Sequence, residues 1–247
     1  MDVVTYNYKR IAKFMISVCM AVKNGAPFVH SQLESIRFQL TGDDEIIISD
    51  DNSTDNTLEI LETHKDHRIR IIKNPKDGLV SNFENAIKHS RGEIIFLSDQ
   101  DDVWMPYKVK TTLPYLRDYD LVVSDCKVVN NNFDALHDSF FRFNSSSSGI
   151  IRNLAKNSYM GCCMAFKRSL LAKALPFPSR LTVHDQWLGM IGELYGRVLF
   201  LPEKLVAHRR HDKNASTTFH KSNHDWADKF SNRLNLALSL MKTRYGS

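Results

Sequence analysis

Four short apolar runs, each followed by a segment of helical periodicity, constrain this chain more than any other feature. They are "ISVCMAV" (16–22), "EIIIS" (45–49), "IRII" (69–72) and "EIIFL" (93–97). Runs this short, dominated by Ile and Val, predict strands covered on both faces. Behind the first three come Val29, Leu33, Ile36 and Leu40, then Leu58 and Leu61, then Val80, Phe83 and Ile87, each set spaced for one face of a helix. The alternation predicts an α/β fold, a mainly parallel sheet wrapped by helices. At 247 residues the chain is one large domain or slightly more.

In such sheets ligands gather outside the carboxyl ends of the strands, and the acids of this chain gather there too. "IIFLSDQDDVW" (94–104) drives a buried-looking strand into Asp99, Asp101 and Asp102, with Trp104 close behind. Carboxylates this close raise one another's pKa unless a positive charge lies between them. A hard divalent cation shared with phosphate oxygens is the chemistry that suits them. A haloacid-type phosphatase also places two Asp at a strand end. It needs a small hydroxyl residue two positions beyond the second Asp, and Val103 stands there instead. The other cluster, "DDNSTDNTLEILE", sets Asp51, Ser53, Asp55, Thr57, Glu59 and Glu62 on the ligand positions of a calcium loop. Asn56 replaces the required Gly, and the segment follows a strand rather than a helix. A capped helix start, with Ser53 or Asp55 as N-cap, is the plainer alternative.

The second half is less regular. "DLVVS" (120–124) predicts a strand, "NSSSSG" (144–149) a loop, and "GCCMAFKRSLL" (161–171) a strand entering a helix. "RVLFLPEKLVAH" (197–208) predicts two short strands about Pro202. From about Asp225 a helix carries Trp226, Phe230, Leu234, Leu238 and Met241 on one stripe, with Lys229, Arg233, Lys242 and Arg244 elsewhere. Its stripe suits either the core or a membrane surface. The formal charge of +5 comes without a dense Lys/Arg run, which argues against a nucleic-acid partner. Cys19, Cys126, Cys162 and Cys163 lack metal-ligand spacing and read as reduced thiols. "MDVVTYNYKRIAKF" is too polar for a signal peptide, and 18 apolar residues never run together; the expectation is a cytoplasmic chain that does not span a membrane.

Six segments occur here in a familiar order: "ISVCMAVKNG", "EIIISDDNSTDNT", "SRGEIIFLSDQDDVWMPYKV", "GCCMAF", "HDQW" and "HRRHDKNAS". Over about residues 14–216 the chain resembles the inverting family-two glycosyltransferases of GT-A fold. It looks closest to their bacterial polysaccharide, rhamnosyltransferase-like subgroup. The resemblance implies a Rossmann-like, mainly parallel sheet with a smaller acceptor-side sheet. Residues 14–125 would form the nucleotide-sugar-binding half, 126–220 the acceptor half and 221–247 a helical tail. It further implies a UDP- or dTDP-linked sugar lying along the strand ends, with Ala21, Val22 and Asn24 lining the base. Asp51 would accept the imide N–H, with Asp50 beside it. Most relatives carry Thr-Tyr where this chain has Ala21-Val22, so an aromatic partner for the base is missing from that position.

By the same resemblance Asp101 and His211 hold Mn²⁺ or Mg²⁺, Asp99 contacts ribose or a metal-bound water, and Arg209 contacts phosphate. Asp185 of "HDQW" is the general base, with His184 as the alternative base; capping of the following helix is the competing role for Asp185. Trp104, Gly161, Cys162, His184, Gln186 and Trp187 are the acceptor-side candidates. The implied activity is inverting sugar transfer to a glycan or lipid-linked acceptor in cell-surface polysaccharide synthesis. The C-terminal helix would touch the inner face of the membrane. A catalytically silent sugar-nucleotide or glycan-binding module on the same fold is the competing reading, and intact Asp101 and Asp185 favour the enzyme.

Overall fold

The computed structural model describes residues 14–211 and 226–245. Its first half alternates β1 (Ile16–Val22), α1 (Val29–Arg37), β2 (Glu45–Asp50), α2 (Thr57–Thr63), β3 (Ile69–Lys73), α3 (Leu79–His89) and β4 (Ile94–Asp99). The four strands pair in parallel in the order β3-β2-β1-β4. Every residue of β1 and β2 is buried, as continuous apolar runs require when helices cover both faces. Register sets the strand ends level: Ala21 lies opposite Ser49 on one side and Asp99 on the other, while Val22 faces Asp50. The acids after β2 and β4 therefore flank the end of β1.

The second half continues the same sheet through β5 (Val103–Trp104), α4 (Lys108–Thr112), β6 (Leu121–Val129), β7 (Ala135–His137), α5 (Phe140–Asn144) and α6 (Ile150–Ala155). It ends in β8 (Met164–Lys167), α7 (Leu171–Ala174), α8 (His184–Tyr195), β9 (Val198–Arg209) and α9 (Trp226–Tyr245). Strand β8 runs antiparallel between β4 and β6, β9 runs parallel to β6, and β5 pairs antiparallel with β9. This last pairing positions the site. Val103 faces Ala207, which lays the acidic segment just before β5 against the end of β9.

Several local expectations change in the fold. Residues 198–209 form one strand rather than two, because the ladder slips at Pro202 without breaking: Leu201 faces Ser124 and Lys204 faces Asp125. Proline cannot donate to the ladder, and a bulge absorbs it. The N-cap of α2 is Asn56, not Ser53 or Asp55. Likewise α8 is preceded by Val183, so Asp185 lies inside its first turn. "GCC" is a turn of 3₁₀ helix, and the strand begins at Met164.

The apolar stripe of α9 faces outward. Leu234, Leu238 and Met241 are 48%, 43% and 49% exposed, whereas Leu236 and Leu240 pack inward. The side chains of Trp226 and Phe230, expected on that stripe, lie outside the described residues. Among the described residues, no helix is long and apolar enough to cross a membrane.

Candidate active site

Two loops form the floor of the site, and the residues between strand and helix are spent joining them. Asn24 adopts the left-handed region at φ +50°, which Asn tolerates better than most side chains. Its N–H donates to Ser53 Oγ at 2.9 Å, and its Oδ1 accepts from Thr54 N at 2.7 Å. Gly25 N donates to Thr57 Oγ1 at 2.8 Å, and Ala26 N donates to Asp55 Oδ2 at 3.2 Å. The calcium-loop alternative fails here, because Ser53, Asp55 and Thr57 each accept from a different backbone amide instead of converging on one point. Gln100 adds a clamp, accepting from Lys23 N at 2.8 Å and donating to Lys23 O at 3.0 Å. A Cβ on Gly25 would stand 2.3 Å from Gln100 Oε1, so a side chain there would have to displace Gln100 from this clamp.

Asp51 is 2% exposed and held on both oxygens. Asn74 Nδ2 donates to Oδ1 at 2.9 Å, Lys23 Nζ to Oδ2 at 2.8 Å, and Gly78 N to both at 3.2 Å. Burial alone would push this carboxyl up, but these hydrogen bonds together outweigh it and hold the pKa below the ordinary carboxylate range. Asp50 beside it accepts from Ser53 N at 3.1 Å. Ala21 and Val22, expected to line the base, are 5% and 1% exposed within β1, so their side chains belong to the core. The Val22 carbonyl is occupied by Asp51 N and Asn82 Nδ2.

Across the end of β1, the "SDQDD" acids meet the end of β9. His211 Nε2 lies 3.0 Å from Asp101 Oδ2. Asp102, fully buried, accepts from His208 Nδ1 at 2.9 Å and from Arg209 N at 3.0 Å through one oxygen, Oδ1. Its other oxygen has no hydrogen-bond partner among the described residues. Burial pulls His208 toward neutrality, yet the charge of Asp102 and the hydrogen bond to it win and raise its pKa to about 9. Asp99 is driven well above the usual carboxylate range, first by burial and then by the charges of Asp102 and Asp101.

Two aromatic residues that sequence reasoning missed organise this corner. Phe28 stacks on His211 with centroids 4.5 Å apart, and the Arg209 guanidinium lies 5.1 Å from the Phe28 ring and 4.6 Å from the Phe133 ring. Phe28 is the residue just before α1, and no local pattern marks it as anything but a turn residue.

The donor set fits a hard divalent cation. A carboxylate oxygen of Asp101 and an imidazole nitrogen of His211 lie 3.0 Å apart, and the like charge of Asp101 and Asp102 presses on Asp99 nearby, a burden that a cation would relieve. Ligand atoms of Asp102, Cys162 and His208 also come within 4.8 Å of one another. That trio is less suited to a hard cation, because all three are deeply buried and the thiol is soft.

Asp185 lies in the first turn of α8. Its Oδ2 accepts from Gly161 N at 3.1 Å, and its Oδ1 accepts from Asn157 Nδ2 at 3.2 Å and from Gln186 N at 2.5 Å. Burial outweighs these three donors and pushes its pKa up to about 6. The charge of Asp185 also raises the pKa of Asp99, so the two carboxyls lie within electrostatic reach of each other. His184 is packed beside Gly161. Its ring stacks on Phe83 at 4.0 Å, burial holds it neutral with a pKa of about 3, and its Nε2 has no partner among the described residues.

The remaining acceptor-side candidates divide. Gly161 acts through its backbone, and Gln186 donates from Nε2 to Asn153 O at 2.6 Å while lining an open cleft. Trp187 is a core residue, its indole N–H given to Ala174 O at 2.9 Å. Trp104 is 2% exposed, tilted against Phe96, with Lys108 Nζ 4.2 Å over its ring. Cys162 is fully buried, and its carbonyl accepts from that Lys108 at 2.5 Å. For Trp187 and Cys162, burial leaves no side-chain face for an acceptor, whereas Trp104 still borders an open pocket with Tyr107 and Lys110.

Residues 17–175 match the sequence profile described as "Glycosyl transferase family 2". The UDP-Glc:alpha-D-GlcNAc-diphosphoundecaprenol beta-1,3-glucosyltransferase WfgD of Escherichia coli is 24% identical over 186 residues, 72% of this chain and 70% of that protein. The dTDP-rhamnosyl transferase RfbG of Shigella flexneri is 38% identical over 120 residues, 45% of this chain and only 38% of its own length. Among solved structures, S. aureus TarS 1-349 in complex with UDP-GlcNAc superposes with a TM-score of 0.71 at 20% identity, covering 91% of this chain and 66% of that one. The chain thus spans from under half to somewhat over two thirds of these relatives. The structural likeness establishes a shared fold.

Proposed function

This chain belongs to glycosyl transferase family 2, and from that premise we propose that it moves a sugar from a nucleoside-diphosphate donor to an acceptor hydroxyl with inversion. The observation that supports the reading is that Asp51 after β2, and Asp99 and Asp101 with His211 against Asp101, lie at the carboxyl ends of the two strands that flank β1, while the charge of Asp185 on α8 bears on Asp99. Each has a chemical task. Asp51, held ionised, accepts the imide N–H of a uracil or thymine base once Lys23 yields one oxygen; the Lys23 side chain is half exposed and free to do so. Arg209, fixed by Phe28 and Phe133, presents its guanidinium to phosphate.

Mn²⁺ or Mg²⁺ held by Asp101 and His211, with Asp99 beside it, would neutralise the charge of the leaving diphosphate. At the other end, Asp185 takes the proton of the acceptor hydroxyl while that oxygen attacks the anomeric carbon from the face opposite the diphosphate. The C–O bond to the diphosphate breaks as the new one forms. A base with a pKa near 6 is largely ionised at neutral pH yet basic enough to assist.

The acceptor is a glycan or a lipid-linked saccharide in cell-surface polysaccharide synthesis, and the setting is the cytoplasmic face of the membrane. The outward Leu234, Leu238 and Met241 on α9, with Lys242 and Arg244 exposed near its end, suit peripheral contact with an anionic bilayer. A thermal-shift panel of UDP- and dTDP-sugars with Mn²⁺, followed by nucleotide release on the hits, tests the reading. Tight donor binding without release on any acceptor would favour a silent binding module instead.

A further inference from the structure

Three side chains from distant segments meet in the interior: Asp102 in the loop after β4, Cys162 in the 3₁₀ turn before β8, and His208 near the end of β9. One ligand atom of each lies within 4.8 Å of the others. Asp102 and Cys162 are fully buried, and His208 is 6% exposed. His208 Nδ1 stands 2.9 Å from Asp102 Oδ1 and 4.0 Å from Cys162 Sγ. A tetrahedral Zn²⁺ with bonds of about 2.0–2.3 Å sets N and O ligands ~3.3 Å apart and N and S ligands ~3.6 Å apart. Both pairs are thus within about half an ångström of a coordination edge.

A second observation points to a ligand. Asp102 Oδ2 is buried with no hydrogen-bond partner among the described residues. An orphaned carboxylate oxygen in the interior is costly, and a bound cation satisfies it. Lys108 cannot be spared for the task, because its Nζ is given to the Cys162 carbonyl at 2.5 Å. The donor set selects the metal. Thiolate, imidazole and carboxylate together suit Zn²⁺, whereas Mg²⁺ and Mn²⁺ favour oxygen-rich sites. Charge also balances. Zn²⁺ enters in exchange for protons released to water, one from the His208 imidazolium and one from the Cys162 thiol, so the buried net charge does not rise.

We propose that Asp102, Cys162 and His208 form a Zn²⁺ site, separate from the metal held by Asp101 and His211, with Asp102 Oδ2 as the fourth donor. The metal ties the loop after β4, the 3₁₀ turn and β9 to one another. Arg209 N also rests on Asp102, at 3.0 Å, so occupancy braces the segment that carries Arg209 and His211. The inference goes beyond the glycosyl-transfer reading and does not depend on it.

The test uses the full chain produced in medium supplemented with Zn²⁺ or Co²⁺, because a buried site fills most readily as the chain folds. The Co²⁺ form should show thiolate-to-cobalt charge-transfer absorption, a signature that a site without sulfur cannot give. Cys162→Ser and Cys162→Ala should lose the band, while Asp101→Ala, His211→Ala and Cys163→Ala keep it. Removing Zn²⁺ should lower the Tm of Asp101→Ala but leave that of the Asp101→Ala, Cys162→Ala double variant in place. A folded wild type without the band, a band that persists in both Cys162 variants, or one that disappears with Asp101→Ala would overturn the site. If the Cys162 variants do not fold, X-ray absorption on the Zn²⁺-loaded wild type decides: a shell with one sulfur supports the site, and a shell of oxygen and nitrogen alone overturns it.

Discussion

Gly161 donates its backbone N–H to Asp185 Oδ2 at 3.1 Å, so a 3₁₀ turn and the first turn of α8 share one carboxylate. With Asn157 and Gln186 on the other oxygen, Asp185 is oriented while burial raises its pKa to about 6. A base works only when ionised, so kcat/KM should climb with pH through about 6 and then level off. Asp185→Asn should lower turnover by ~10²–10⁴-fold with donor and metal binding retained. The same raised pKa favours the protonated form in the fold. Its contribution to stability is therefore largest below the unfolded value near 4 and is lost as pH rises through about 6. A pH-rate profile of the wild type beside the Asn variant checks the assignment; an unchanged rate would move the base elsewhere.

His184 should prove structural. Stacked on Phe83 and held neutral by burial, it lacks the proton affinity of a base. His184→Ala is expected to cost roughly 1–3 kcal/mol of stability, the usual range for opening a packed site, while leaving turnover within about tenfold. Thermal melts and kcat on the same preparation separate the two effects. A stable variant without turnover would reverse the roles of His184 and Asp185.

The Asp101–His211 contact predicts metal linkage. Asp101→Ala should abolish the Mn²⁺-dependent part of nucleotide affinity, and His211→Ala should raise the Mn²⁺ concentration needed for it. Calorimetric titrations of UDP and dTDP with and without Mn²⁺ read this directly. Affinity independent of Mn²⁺ in the wild type would contradict the assignment.

Asp51 should matter to both fold and binding. Asp51→Ala strands Gly78 N and one of the two Asn74 Nδ2 hydrogens, the other remaining on Ser81 Oγ, at a cost of roughly 1–3 kcal/mol for buried donors left unpaired, and removes the acceptor proposed for the base. Because its pKa in the fold lies below the ordinary value, its stabilisation is present at neutral pH and lost as pH falls through the acid range. Acid unfolding of the wild type should therefore begin at a higher pH than a fit lacking this group allows, and Lys23→Ala should weaken the effect only slightly, since Lys23 is half exposed.

Gly189 offers a test of packing behind the site. A Cβ there would sit 2.4 Å from the Tyr159 ring, whose hydroxyl donates to Glu193 at 2.9 Å. Gly189→Ala should destabilise by about 1–3 kcal/mol, as overpacking does, and lower Tm accordingly. An unaltered Tm would mean that Tyr159 can move.

Much of the architecture was legible because its causes are local. The apolar run of β1 must be covered on both faces whatever the rest of the chain does, and the carboxylates of Asp99 and Asp101 must leave a buried strand at its end. Strand and helix boundaries moved where the cause was not local. Pro202 ends a strand only if the chain around it cannot bulge, and β9 bulges there against consecutive residues of β6.

The sequence by itself determined the strand–helix alternation, the edge on which acids collect and the segments that carry them, since periodicity and charge repulsion act between near neighbours. Tertiary structure decided which of those residues face one another. His208 reaches Asp102 and His211 reaches Asp101 only because two residues of β5 pair with β9, a contact between segments over a hundred positions apart. The same holds for Phe28 under Arg209, for Trp187 withdrawn into the core, and for the face of α9 that Leu236 and Leu240 turn inward. An amphipathic pattern states that a face will be buried. Which face finds a partner is settled by the long-range packing that alone offsets the entropy of bringing distant segments together.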